Sequence, residues 1–465
     1  METDVIERND IMSSLQEYIN ENYPTNSNNW FEAEVDKPHN MTASSKIVNE
    51  KSYLKGQHKI KRKSDITFKG ETYPTSKSAY NIANSLNSFY IGYISGKECS
   101  LIGENEDVLH EYERIYKRSN YYSINHDITK DFVTHGMSVE YVYYDAKTKL
   151  PKSKLLEPEN CYPLYSKFGE YIGLISFSRL QIEDKEVSYY YIYEEDKVTT
   201  YSDAGGHMKK IDERKSFGLP IVYRNSDGVY GENVGLCDCV YELLDEYEDF
   251  MNKLSDSVYT NSLNPILAVS GQTLNMPKGS LSAEAVGWAI TLDNGGEIKY
   301  VSSLMDNNTI KTYIENLEKQ IYSIAEVPSV LVNGNISNVS ENSIKMLYSK
   351  ADGKANAYRY ILVNGFNTRN DIIARMLGYN EGEVETVVNF SMPSADSDTI
   401  NNLHTLYEDG VIDKVTYLEM CPLGFNTAQV LKRLEDEEKE REVEEDNEVY
   451  VEEDNNSDVV RDNIQ

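Results

Sequence analysis

Cysteine is scarce in this chain, with five in 465 residues. Cys99, Cys161, Cys237, Cys239 and Cys421 include no CxxC pair and no histidine at zinc-ligand spacing. That excludes a disulfide framework and a zinc ribbon, and leaves reduced thiols packed in cores. Cys237 and Cys239 stand two residues apart on a predicted helix, on different faces, and make poor co-ligands. Phosphate-loop chemistry is also missing, since no pair of glycines brackets four residues before Lys-Ser or Lys-Thr. HExxH, GxSxG, a GxGxxG after a strand and EF-hand spacing are absent, and the seven histidines are scattered. No catalytic residues, metal ligands or cofactor are assigned, and none of these patterns supports an enzyme. Long apolar runs are missing too. The one uncharged run of membrane length, Ser257 to Pro277, contains Asn261, Asn264, Asn275 and two prolines, so no membrane helix is expected. The opening METDVIERND has acids where a signal peptide has bases, so export by that route is not expected.

What the chain does have is acid. The formal charge is -31, and residues 435–465 carry 15 acids against 3 bases, a net -12. An acidic body argues against static nucleic-acid binding, which is built on Lys and Arg neutralising phosphates. A local exception is the basic cluster Lys51, Lys55, His58, Lys59, Lys61, Arg62, Lys63 and Lys69. A nucleic-acid contact, a solvated strand edge and a subunit contact against acidic helices all remain open for it.

Residues 24–50, rich in Asn, Ser, Thr and Pro, read as a loose arm. From Ser76 the spacing of Ala79, Ile82, Ala83, Leu86, Phe89 and Tyr93 predicts a helix, and that of Val108 to Tyr116 another. Beyond Gly136, β-forming runs such as VEYVYYDA, YIGLISFSRL and VSYYYIYEE alternate with turns, predicting an antiparallel sheet region. The apolar stripe Leu236, Val240, Leu243, Leu244, Tyr247, Phe250, Met251, Leu254 and Val258 predicts a long amphipathic helix. Its opposite face carries Asp238, Glu242, Asp245, Glu246 and Asp249, read as solvated. Ile310, Ile314, Leu317, Ile321 and Ile324 predict a partner helix ending at Val327, before Pro328. Short strands and turns fill Asn264 to Met305 between the two.

A small polar loop, VPSVLVNGNISNVSENS, then precedes a much longer helical pattern. Asn338 with Glu341 has capping-box spacing. The stripe from Ile344 to Met376 implies a helix on the order of 55 Å long, with Gly353 and Gly365 as bend points. A strand-like ETVVNFSM and short helices at 399–408, 411–420 and from Thr427 follow. The pair around Asp409-Gly410 is a poor DNA reader, because VIDKVTYLEM has one Lys against two acids.

This order resembles the SPP1-type family of tailed-bacteriophage portal proteins. The resemblance is carried by SYLKGQHKIKRKS, KSAYNIANSLNSFYIGYISGKE, DITKDFVTHGMSVEYVYYDA, LLEPENCYPLYS and RKSFGLPIVYRNSDGVYGE. It continues through CDCVYELLDEYEDFMNKLSDSVYTN, the block from LEKQIYSIAEVPSV to NGFNTRNDII, and LYEDGVIDKVTYLEMCPLGFNTAQVLKRLEDEEKERE. The resemblance implies an α+β portal fold: an α/β wing, a two-helix stem, a small β-rich clip, a long wing helix and a C-terminal helical crown. By it, 1–45 is an N-terminal arm, 46–230 the first part of the wing, 231–262 and 306–327 the stem helices, and 263–305 the clip. Residues 328–340 are a tunnel loop, 341–378 the long helix, 379–395 a wing strand and 396–434 the crown. The acidic tail, 435–465, is expected to be disordered.

The implied role is a homo-oligomeric ring, a dodecamer, at the capsid vertex of the virion. Double-stranded DNA transits it during packaging and ejection. Terminase, a head-tail adaptor, and the major capsid and scaffolding proteins are implied partners, with no membrane, and assembly occurs in the host cytoplasm. The implied channel residues are Val330, Val332, Asn333, Asn335, Ser337 and Asn338, and the stem packing residues are Leu236, Val240, Leu243, Leu244, Tyr247, Phe250, Leu254, Ile314, Leu317 and Ile321. The alternatives are a nucleic-acid-processing enzyme, which would need a clustered catalytic site, and a scaffold without a channel.

Overall fold

The computed structural model describes residues 14–25, 28–68, 71–182, 185–226, 231–258, 266–270, 297–301, 307–328, 341–391, 396–421, 430 and 433–434. The chain divides into two units, one of residues 1–338 and 344–391, the other of 339–343 and 392–465.

The first unit begins with helices α1 (Ser14–Asn22), α2 (Trp30–Val35) and α3 (Pro38–Leu54). Most of the segment expected to be a loose arm is therefore helical. The reason is tertiary: Trp30, Phe31 and Val35 are buried, and the Phe31 ring lies 5.1 Å from that of Tyr190 and 4.6 Å from that of Tyr201. Pro38 at the first turn of α3 presets its φ for a helix. A few apolar anchors thus order a stretch whose composition is mostly polar.

The hairpin β1 (Ile66–Phe68) and β2 (Glu71–Tyr73) precedes α4 (Ile82–Ser95), β3 (Ser100–Gly103), α5 (Glu106–Arg118) and α6 (Tyr121–His135). Asn105 caps α5, its side chain accepting from the backbone N–H groups of Asp107 and Val108. α4 starts six residues after Ser76, where the helical spacing begins. Residues 74–81 lie outside helix and strand, and the amides of Ser76, Ser78 and Tyr80 are taken by side chains of another helix, as described below.

Next come β4 (Met137–Asp145), β5 (Leu150–Leu156), β6 (Cys161–Tyr165), β7 (Tyr171–Ile182), β8 (Lys185–Tyr193), β9 (Lys197–Ser202), β10 (Lys209–Lys215) and β11 (Ile221–Arg224). They form a five-stranded sheet, β10-β9-β8-β7-β6, and a three-stranded sheet, β11-β4-β5. Every pairing in both is antiparallel, as the turn-separated β runs predicted. Met137, Val139 and Leu156 of the smaller sheet share one apolar cluster with Leu174, Tyr193 and Val198 of the larger.

α7 (Tyr241–Val258) and α8 (Asn307–Ile324) are the two amphipathic helices, and between them β12 (Ile266–Ser270) pairs antiparallel with β13 (Glu297–Val301). α8 ends at Ile324, three residues before Val327, where Glu326 takes a positive φ of 59°. α9 (Glu341–Leu377) has 37 residues, about 55 Å at 1.5 Å per residue, and stops at Gly378 with φ +81°. Gly365 has a packing role: a Cβ there would sit 2.1 Å from Cε1 of Tyr223. β14 (Val384–Val387) pairs with β3. The main core gathers side chains from α4 to α9 with β4, β11 and β14.

In the second unit, α10 (Asp396–Glu408) and α11 (Lys414–Met420) flank a turn in which Gly410 has φ +71°. The rings of Tyr407 and Tyr417 lie 5.4 Å apart, and Asp413 caps α11 by accepting from Thr416 N–H. The third short helix and the acidic tail fall almost wholly outside the described residues.

Candidate functional site

Two amphipathic helices with an inserted hairpin are the feature that organises the first unit around residues 236–327. Of the residues expected to pack the stem, Leu236, Val240, Leu244, Tyr247, Leu317 and Ile321 are buried, and Leu243 and Ile314 pack against the same core. Phe250 and Leu254 are half-buried. The Phe250 ring packs at a tilt against Tyr313 of α8, with centroids 4.6 Å apart. Two polar ties cross the pair, Tyr247 Oη donating to Glu318 at 3.1 Å and Tyr313 Oη to Glu246 at 2.7 Å. Residues 236–240 form turns, and the helix proper starts at Tyr241. The channel residues Val330, Val332, Asn333, Asn335, Ser337 and Asn338 lie outside the described residues, as does the capping position at Asn338.

The acidic face of α7 is a correction to the sequence reading. Glu242 and Glu246 are exposed as expected, but Asp245 and Asp249 dock part of the basic cluster of the same chain. Lys59 Nζ donates to Asp245 at 2.7 Å and Lys63 Nζ to Asp249 at 2.7 Å, while Lys253 also pairs with Asp249 at 2.6 Å. His58 Nδ1 meets Glu248 Oε1 at 2.5 Å, with both side chains buried. Lys46 reaches Asp238 at 2.6 Å, and Lys51 reaches Glu159 at 2.6 Å. For His58, Lys59 and Lys63 the structure gives a contact against an acidic helix, made within one chain. These three lie 186 to 190 residues from their α7 partners in sequence, so local pattern could not join them.

Beside this seam, residues 76–80 run along α7 with their amides captured. Ser76 N–H donates to Asp256 at 2.8 Å, Ser78 N–H to Asn252 at 2.7 Å and Tyr80 N–H to Glu248 at 2.7 Å. Acceptors at i, i+4 and i+8 climb a helix by about 6 Å per step, and alternate residues of an extended chain advance by nearly the same distance. The two repeats match, so one face of α7 serves as an edge strand would. Asn252 also donates to Ser78 O at 2.9 Å. Burial pushes the Glu248 carboxyl above its ordinary range, partly offset by Tyr80 N–H and His58. Hydrogen bonds from Lys253 and Lys63 hold that of Asp249 below its own.

A second polar centre went unnoticed in the sequence. Arg369 of α9 and Glu140 of β4 are fully buried and doubly bonded, at 2.7 and 2.9 Å. Asn125 accepts from Arg369 at 2.6 Å, and Tyr223 Oη donates to Glu140 at 2.7 Å. The guanidinium carbon sits 4.8 Å from the ring centroids of both Tyr121 and Phe366. The available signal was an arginine within the apolar stripe of a long helix. The cysteines behave as expected of core residues in three cases, Cys161, Cys237 and Cys421 being buried, whereas Cys239 is exposed. Burial pushes the Cys237 thiol up. Among the described residues no group of three His, Cys, Asp or Glu side chains could hold a metal ion, and no helix is long and apolar enough to cross a membrane.

No curated protein sequence matches the chain. Among solved structures, similarity is found to the neck of an empty GTA particle computed with C6 symmetry, at 10% identity over 72% of this chain and 88% of that one, TM-score 0.48. The virion of a native gene transfer agent particle gives 10% identity, 71% and 85% coverage and 0.45. The neck of a native GTA particle computed with C12 symmetry gives 12%, 73% and 89%, and 0.44. The family model for phage portal protein, SPP1 Gp6-like, matches residues 34–444, a span holding both amphipathic helices, the five- and three-stranded sheets and the long helix. The chain therefore belongs to the SPP1 Gp6-like family of phage portal proteins.

Proposed function

We propose that this chain is the repeating subunit of a portal ring of about twelve copies, set at the capsid vertex, through which double-stranded DNA enters and leaves. The observation that carries the reading is the family match over residues 34–444. The α7–α8 pair is the stem, the segment between them the clip, α9 the wing-spanning helix, and residues 396–434 the crown. Head-to-tail contacts can close such subunits around an axis, and the same segment of each then lines the bore. In that arrangement 328–340 is the tunnel loop. Its residues Val330, Val332, Asn333, Asn335, Ser337 and Asn338 face DNA with small side chains that touch without anchoring phosphates. Terminase, a head-tail adaptor, and the capsid and scaffolding proteins dock on the outer surfaces, and the subunits assemble in the host cytoplasm.

Electron microscopy of the purified full-length chain tests the ring, with an open-centred ring expected and a compact monomer in native mass spectrometry overturning the reading. Deleting 330–338 is expected to leave ring closure intact and to impair DNA packaging. Unchanged packaging in that variant, with the loop imaged on the outer surface, would remove the tunnel assignment.

A further inference from the structure

Two strand pairs of the first unit are left open at an edge. In the pair of β3 and β14, α9 closes the β14 side: Asn367 Oδ1 accepts from Thr386 N–H at 2.8 Å, and Asn370 Nδ2 donates to Val384 O at 3.1 Å. Val384 and Thr386 thus turn their backbone groups away from β3. Opposite residues of an antiparallel pair share this alternation, so Gly103 and Leu101, their partners in register, turn theirs to the outer edge of β3. Among the described residues no third strand joins this pair, and no backbone group outside it bonds Leu101 or Gly103. Ile102 and Val387 share the solvent face of the pair and are exposed. An open edge beside exposed apolar side chains is a template for a further strand.

The hairpin of β1 and β2 is the second open pair. Each strand has three residues, no further strand joins them among the described residues, and Ile66 is 59% exposed. Two strands this short are marginal in water until a third strand or a packed face completes them. Pro74, directly after β2, lacks a backbone donor and blunts that side, whereas β1 carries no such block.

Charge specifies what completes both. Lys55, Lys61 and Arg62, the members of the basic cluster around the root of the hairpin that α7 does not engage, are exposed and form no ion pair among the described residues. Around β3 the sign is opposite: Glu98, Glu104, Glu106, Asp107 and Glu385 are exposed and equally without an ion pair, and Lys97 is the one base in residues 97–107. An acidic open edge and a basic open hairpin are complementary parts of one chain. A DNA duplex would attract the three cations but offers nothing to the strand edges.

We propose that β1 of one copy adds as a third strand to the β3 edge of the next, bonding the backbone of Leu101 and Gly103, while Lys61 and Arg62 meet the acids that flank β3. The giving and receiving patches differ, so each copy gives one hairpin and receives one, the head-to-tail arrangement that closes a ring. The contact rests on the ring proposed above.

The test follows assembly of the full chain by sedimentation across protein and salt concentration, beside hydrogen exchange of dissociated and assembled protein. The amides of Leu101 and Gly103 should exchange about tenfold more slowly, or slower still, once the chain assembles. Lys61→Glu with Arg62→Glu, and separately Glu98→Lys with Glu104→Lys, should raise the concentration for half-assembly about tenfold at low salt, and by less as salt rises. All four changes in one chain exchange the signs and should recover most of the wild-type assembly. Variants count only where they keep the wild-type circular dichroism, and the exchange measurement needs no variant. A wild-type chain that stays monomeric removes the ring and this contact together. A wild-type ring whose Leu101 and Gly103 amides exchange as in dissociated chain, or whose folded charge variants assemble like wild type, keeps the ring and overturns the contact alone. Loss of DNA binding without loss of assembly in Lys61→Glu with Arg62→Glu also overturns it, and assigns these cations to nucleic acid.

Discussion

Two regions of the first unit bury charge and do it differently. Between α9 and β4, Arg369 and Glu140 are 0% exposed and locked by Asn125, Tyr223 and two aromatic rings. Along α7, only the His58–Glu248 contact is buried, and the flanking lysines grade outward to Lys59, whose side chain is 83% exposed. The Arg369–Glu140 centre lacks solvent to relax into, so removing one partner strands the other. The seam is layered, and its outer contacts are bathed in water and salt.

The largest effect should come from breaking the Arg369–Glu140 centre. Arg369→Met leaves Glu140 and Tyr223 facing an apolar side chain and should cost about 3–5 kcal/mol, read as a lowered urea midpoint. The double variant with Glu140→Gln should recover part of that, and full recovery would show the pair to be dispensable. Next, Asn252→Ala removes the middle acceptor of the α7 seam at a cost of about 1–3 kcal/mol. Hydrogen exchange should quicken at Ser76, Ser78 and Tyr80 while the amides of β4 stay protected. Uniform loss across both regions would erase the distinction between them.

The pH dependence should follow, at no more than about 1.4 kcal/mol per pH unit for one group. Because burial raises the folded-state pKa of Glu248, the folded chain holds a proton there that the unfolded chain has released. Stability from this group is thus greatest below the unfolded value and falls as pH rises through the raised one. Glu248→Gln should flatten that segment of a stability-against-pH curve, against the background of the facing groups His58, Asp245 and Lys59; an unchanged slope would place the titration elsewhere. Smallest of all, Lys59→Ala with Lys63→Ala should cost about 1 kcal/mol or less and fade as salt rises. A loss matching that of Arg369→Met would mean the outer seam is not screened.

The same contrast explains what could be read from sequence. The stripes of α7 and α8 and the extent of α9 were legible, because apolar periodicity is local and the helix end at Gly378 carries its own signal. The strand pattern from β4 to β11 was legible for the same reason. Polar groups were not. Asp245 and Asp249 look solvated until Lys59 and Lys63 are folded onto them, Glu248 and Asn252 look like surface residues until residues 76–80 arrive, and Arg369 stands in an apolar stripe with no acidic partner nearby in sequence. Each is decided by a partner more than a hundred residues away. The helical arm at 30–54 escaped because a few large side chains, Trp30 and Phe31 foremost, outweigh many polar ones.

The matched repeat between α7 and residues 76–80 also has a mechanical side. A hairpin pulled from one end unzips, surrendering its bonds one at a time. The three amide bonds to Glu248, Asn252 and Asp256 lie side by side across the line of the helix axis, so a pull along that axis loads all three at once, in shear. Peeling sideways loads only the outermost. The segment leading into α4 is therefore anisotropic: stiff to a thrust along α7, compliant to a lateral lift, and able to pass an axial load from that helix into the core without first giving way.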